Sequence, residues 1–148
     1  MINRNEKGFS LIELLLVVVV IGIIAALAVP SLQKVRLAAE NGSTFSTMRT
    51  LNATQMTFYS QNSRFARLSE LNAIQGAGFG TIVEPKLIRG KFTFEMNGPG
   101  GINPSDADLK SQYGIAAIRD VAGENVVYRY HLTQNGLIER ILPGPMLD

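Results

Sequence analysis

Cysteine and tryptophan are missing from the 148 residues, and histidine occurs once. Without cysteine there is no disulfide, no thiolate zinc or iron–sulfur site and no thiol nucleophile, so packing alone holds the fold. The single histidine, His131, sits in an alternating aromatic and polar run with no serine–aspartate pair or second metal ligand nearby, and is read as a packed or solvated strand residue. Charge is also scarce: 14 Lys and Arg stand against 12 Asp and Glu, a net of +2. That leaves no basic footprint, and no direct nucleic-acid binding is inferred. Gly98, Gly100 and Gly101 are not followed by a helix opening with Lys-Ser or Lys-Thr, which excludes a phosphate loop and assigns them to a turn. No catalytic constellation is found, so the chain is expected to be no enzyme and to need no cofactor.

Apolar residues, by contrast, make up 46% of the chain, and much of that weight is concentrated near the start. Residues 9–29 read FSLIELLLVVVVIGIIAALAV. As a helix rising about 1.5 Å per residue, these roughly 21 residues cross the ~30 Å hydrocarbon layer of a bilayer. Ahead lies MINRNEKG, where Arg4 and Lys7 outnumber Glu6 and favour a cytoplasmic N-terminus. A secretory signal has a shorter apolar core, about 7–15 residues, followed by a small-residue cleavage site. Here Pro30-Ser31-Leu32-Gln33 follows instead, so the apolar segment is expected to be retained. Glu13 is the anomaly within it. A carboxylate at the bilayer centre costs roughly 2.5–3.5 kcal/mol, which marks Glu13 as functional and in need of a cationic partner from another chain or a free amine. The alternative is that it lies close enough to the helix end to reach the headgroups.

The stretch Lys7-Gly8-Phe9-Ser10-Leu11-Ile12-Glu13-Leu14 and its apolar run resemble the processing site of type IV prepilins and type II secretion pseudopilins. A weaker similarity continues to about Phe65 through Arg49-Thr50-Leu51-Asn52 and Phe58-Tyr59-Ser60-Gln61-Asn62. The resemblance implies a leader, residues 1–8, removed by prepilin peptidase between Gly8 and Phe9, and N-methylation of the new terminus at Phe9. It implies a transmembrane and filament-core helix over 9–30 and a periplasmic or extracellular pilin domain over 31–148. In the family, the glutamate matching Glu13 pairs with the N-terminal amine of a neighbouring subunit. Gly22 and Pro30 also match the family; in a helix interior they cost up to about 1 kcal/mol and about 3 kcal/mol, and the resemblance implies that the segment between them loosens on assembly.

The implied function is a structural subunit of a type IV pilus filament. Alternatives are a type II secretion pseudopilin, a minor pilin, or, from another class, a membrane-anchored periplasmic binding domain. The implied partners are further copies in a helical homopolymer, prepilin peptidase, and the pilus or secretion assembly machinery. The inner membrane holds the chain before assembly, and an extracellular pilus or periplasmic pseudopilus afterwards. Major pseudopilins resembling this chain bind Ca²⁺ near their C-termini, and Asn103, Asp106 and Asp108 offer oxygen ligands. The spaced glycine and distal glutamate of a calcium loop are lacking, so no metal site is assigned and Ser105-Asp106 is read as a turn cap.

Beyond the membrane run, Leu32, Val35, Ala38, Phe45, Met48, Leu51, Gln55-Met56 and Phe58-Tyr59 recur every three or four residues and predict that the helix continues over 31–62. Ser43, Thr44, Ser46, Thr47 and Thr50 are expected on its outer face. Gly76, Gly78, Gly80, Pro85 and Gly90 punctuate residues 63–90, read as a loop with one short helix around Ser69-Glu70-Leu71. A sheet is expected over 91–142: strands at Lys91–Met96, Tyr113–Arg119, Val126–Leu132 and Leu137–Leu142, the last two joined by an Asn135-Gly136 hairpin turn, then an extended tail over 143–148. The predicted class is α+β, a long N-terminal α-helix packed on a small antiparallel β-sheet in the manner of a type IV pilin.

Overall fold

The computed structural model describes residues 9–120 and 127–144. The chain divides into two compact units, Met1–Ala39 and Glu40–Asp148. The first helix, α1 (Leu11–Asn62), runs through 52 residues without a break at Gly22 or Pro30. Within the second unit it buries Thr44, Thr47, Met48, Leu51 and Gln55, a spacing of three and four that is the signature of one packed helix face.

Thr44 and Thr47 therefore point inward, not to the outer face that the sequence reading gave them. Their hydroxyls donate to the carbonyls one turn back, Thr44 Oγ1 to Glu40 at 3.0 Å and Thr47 Oγ1 to Ser43 at 2.9 Å. With the polar atom satisfied locally, the γ-methyl is free to pack.

After α1, the described residues form a short helix α2 (Leu68–Ile74) and seven strands: β1 (Thr81–Val83), β2 (Lys86–Arg89), β3 (Phe92–Gly98), β4 (Gly101–Ile102), β5 (Gly114–Arg119), β6 (Val127–Thr133) and β7 (Ile138–Gly144). The strands form one antiparallel sheet in the order β1-β2-β3-β5-β6-β7, with β4 paired to β3. The α+β class and the helix-then-sheet layout thus agree with the sequence reading, and β3, β5, β6 and β7 fall within two residues of the expected strands. Val126 and the end of the tail, 145–148, lie outside the described residues, and Pro143 and Gly144 belong to β7.

The stretch read as a connecting loop is the main correction. It holds α2 at the expected place, but also the β1–β2 hairpin, which turns at Glu84-Pro85 through a cis peptide bond. Two strands of three and four residues, with Leu87 alone fully buried between them, are too short to display a period of two, and the proline read as a breaker is the turn itself.

One sheet face carries Phe92, Phe94 and Met96 from β3, Ile115 and Ala117 from β5, and Tyr130 and Leu132 from β6; these join Met48 and Leu51 of α1 in a single core. Fully burying such side chains contributes roughly 1.5–3 kcal/mol each. The alternate positions, Thr93, Glu95, Asn97, Gly114, His131 and Thr133, lie on the opposite face.

Polar clasps fix how the elements meet. Arg119 is buried in the same unit, and its Nε donates to Glu40 Oε2 at 3.3 Å while its guanidinium lies 5.8 Å from the Tyr128 ring centre. Tyr113 donates its hydroxyl to Asn52 Oδ1 at 2.8 Å. The amide of the same Asn52 lies only 2.9 Å from where a Cβ on Gly136 would sit. Gly136 takes φ +79° and returns its N–H to Thr133 O at 2.9 Å, closing the expected hairpin. A side chain there would be strained by the backbone and would strike α1.

Candidate functional site

Among its described residues the first unit has no core of its own. Leu11 and Ile12 are 83% and 71% exposed, and Ile23, Leu27, Leu32 and Val35 are all at least 60% exposed. From Leu14 to Val29 the sequence holds no charged residue, so apolar side chains surround the helix axis instead of forming a stripe. A helix that is apolar all round belongs inside a large core or a membrane. Removing these side chains from water would contribute tens of kcal/mol at about 25 cal/mol per Å². By length and composition, α1 begins with a segment able to cross a bilayer.

At the head of this helix stand two of the sequence-derived site residues, Phe9 and Glu13. Gly8 lies outside the described residues, while Phe9 is 78% exposed immediately before α1. Ser10 stands at the N-cap, its carbonyl accepting from Glu13 N at 3.0 Å and Leu14 N at 3.2 Å. Glu13 reaches back to accept the Ser10 N–H on Oε2 at 2.9 Å. This is the carboxylate half of a capping box, and Glu13 also places negative charge at the positive end of the helix.

The sequence reading missed this local partner, although the Ser-x-x-Glu spacing of Ser10 and Glu13 announces it. Among the described residues Glu13 thus has a hydrogen bond but no cationic partner. The other two residues singled out, Gly22 and Pro30, lie along the same helix. An added Cβ on Gly22 would meet nothing within 4 Å, so no contact among the described residues requires a glycine there.

The remaining candidates are occupied structurally. Asp106 pairs with Arg67 at 2.5 Å, and Asp108 accepts both the N–H and the hydroxyl of Ser105, at 3.0 and 2.7 Å. Those bonds pull the Asp108 carboxyl below its ordinary range. Ser105 thus caps a turn as expected, with Asp108 as its partner and not Asp106. Asn103 occupies a positive-φ turn position at +62°. Among the described residues no three His, Cys, Asp or Glu side chains come together.

With that geometry in view, a family model described as "Prokaryotic N-terminal methylation motif" matches residues 3–29. The chain carries a prepilin-type N-terminal methylation motif. The type IV major pilin protein PilA of Myxococcus xanthus (strain DK1622) is 34% identical over 64 residues. That match covers 43% of this chain and 29% of the relative's length. No solved structure matches the chain. Over the matched residues the chain is similar to a type IV pilin, and its long helix followed by a small antiparallel sheet is an α+β arrangement as in type IV pilins.

Proposed function

We propose that this prepilin-type chain is the structural subunit of a type IV pilus filament. On this reading prepilin peptidase removes residues 1–8 between Gly8 and Phe9, Phe9 is N-methylated, and residues 9–30 anchor the subunit in the inner membrane until assembly into an extracellular filament. The observation that carries the reading is the apolar helix left uncovered around its whole circumference, headed by a carboxylate with no cationic partner among the described residues. A membrane first, then a bundle of identical helices, would cover that surface. A free α-amine on the Phe9 of a neighbouring copy would give Glu13 its counter-charge.

No catalytic role is assigned, because the chain's chemistry is concentrated at the head of this helix. The relative's name as a major pilin favours a pilus over a secretion pseudopilus.

Intact mass measurement of the protein from native membrane or filament fractions tests the route. The expected species begins at Phe9 and carries one additional methyl group. A chain still beginning at Met1 in cells with active prepilin peptidase would return the apolar segment to the role of an uncleaved anchor for a periplasmic binding domain.

A further inference from the structure

The sheet face turned away from the α1-packed core has a hollow built from the sequence alternation itself. Asn97 of β3, Gly114 of β5 and Thr133 of β6 stand side by side across three strands in register. The middle position has no side chain, so the row reads polar, bare, polar. His131, two residues before Thr133 on the same face, leans across the gap: a Cβ on Gly114 would fall 2.7 Å from its Nε2. Gln112 at the mouth of β5 and the 134–135 turn complete the rim of a cavity of about 340 Å³.

Two properties of this hollow point to a ligand class. Among the described residues its lining contains no Asp, Glu, Lys or Arg, and four of the lining side chains are carboxamides. Each carboxamide offers two N–H donors and an acceptor oxygen, a double capacity that matches hydroxyl groups, which also donate and accept. Phosphate and carboxylate ligands call for Arg or Lys, whereas the rings of Tyr113 and His131 in the lining offer faces on which a sugar ring can rest. In addition, Gln134 Oε1 is buried and accepts no hydrogen bond among the described residues. A buried acceptor without a donor is destabilising, and a ligand hydroxyl at this rim would relieve it once the Gln134 side chain turns to meet it.

We propose that this hollow over Gly114 is a binding site for a neutral saccharide, sized for about one or two sugar rings at the small end of ligand cavities. The inference does not depend on filament assembly, since every residue used lies between 97 and 135.

The test is titration of the ¹⁵N-labelled full chain, in micelles of a detergent without a sugar headgroup, with cellobiose and with N,N′-diacetylchitobiose. Saturable shifts are expected at the amides of Gly114, His131 and Thr133, with a Kd on the order of 1–10 mM for so open a site. Gly114→Ala, which drives a methyl group into the imidazole's place, and Thr133→Val, which removes one hydroxyl at nearly constant shape, should each weaken binding at least about tenfold. Unchanged melting curves would show that the fold is intact, and Thr133→Val carries the test if Gly114→Ala fails to fold. No saturable shift with either disaccharide, or affinity unchanged in the folded variants, overturns the site. Stronger shifts with digalacturonate or with an uncharged tripeptide overturn the neutral-saccharide assignment.

Discussion

Gln55 shows how much one side chain can decide. It is fully buried, and its carboxamide is used entirely on one residue: Nε2 donates to Ala66 O at 2.7 Å, and Oε1 accepts the Ala66 N–H at 2.8 Å. The side chain thus stands in for a neighbouring strand and ties down the chain reversal after α1. Gln55→Leu keeps the volume but leaves both Ala66 groups buried without partners, at about 1–3 kcal/mol each. We expect denaturant unfolding of the detergent-solubilised chain to show a loss of about 2–5 kcal/mol. In the sequence Gln55 is legible only as one more position on an apolar stripe, because periodicity reports which face is inward and not which backbone group eleven residues on needs a partner. Glu13 is the opposite case: a carboxylate in an apolar run is conspicuous before any coordinates exist. Glu13→Gln retains an oxygen able to cap Ser10 but abolishes the charge, whereas Glu13→Ala removes both. If the charge acts between chains, both variants should insert and be cleaved yet yield few filaments. Normal filament yield from Glu13→Gln would reduce the residue to a cap.

Among the elements, α1 is the one most fully readable from sequence, since an apolar run followed by a three-and-four repeat has no other economical explanation. Gly22, one of its two interior glycines, makes a separable prediction. No described residue approaches the Gly22 Cβ position, so Gly22→Ala should raise helix stability by up to about 1 kcal/mol and leave the melting of the second unit unchanged. If that stretch must loosen during assembly, filament yield should fall even as circular dichroism of the subunit reports equal or greater helicity. Equal yield would remove any role for Gly22 in loosening. The β1–β2 hairpin lay at the other extreme of legibility. Its strands are held in place by sheet pairing, Leu87 opposite Phe94 and Ile88 opposite Thr93, and such pairing is a tertiary fact without a local signature. The hollow over Gly114 was unreadable for a related reason: Asn97, Gly114 and Thr133 become neighbours only through strand register.

At the scale of the whole molecule, the ionisable groups set a pH window. Burial pushes the Tyr113 hydroxyl up to about 12 from 10.0, and Tyr130 is raised for the same reason. Groups whose folded value lies above the unfolded one contribute fully below about pH 10, and that contribution disappears as the pH climbs towards 12. Glu70 runs the other way. Two short hydrogen bonds from Arg64, at 2.5 and 2.8 Å, hold its carboxyl below the ordinary 4.5. Its stabilisation is present above pH 4.5 and is lost as the pH falls below that value. Stability measured against pH should therefore be flat between these limits and fall on both sides. Tyr113→Phe should soften the alkaline fall while lowering the plateau by about 1 kcal/mol through loss of the Asn52 bond. Glu70→Gln should soften the acid fall. The strand order has one more consequence. The sheet ends at β1, only three residues long, and at β7, which carries Pro143 and so one position unable to donate. Where many copies crowd together, such edges give incoming chains little ladder on which to zip, and runaway strand exchange is discouraged by the same architecture that leaves the apolar helix free to associate.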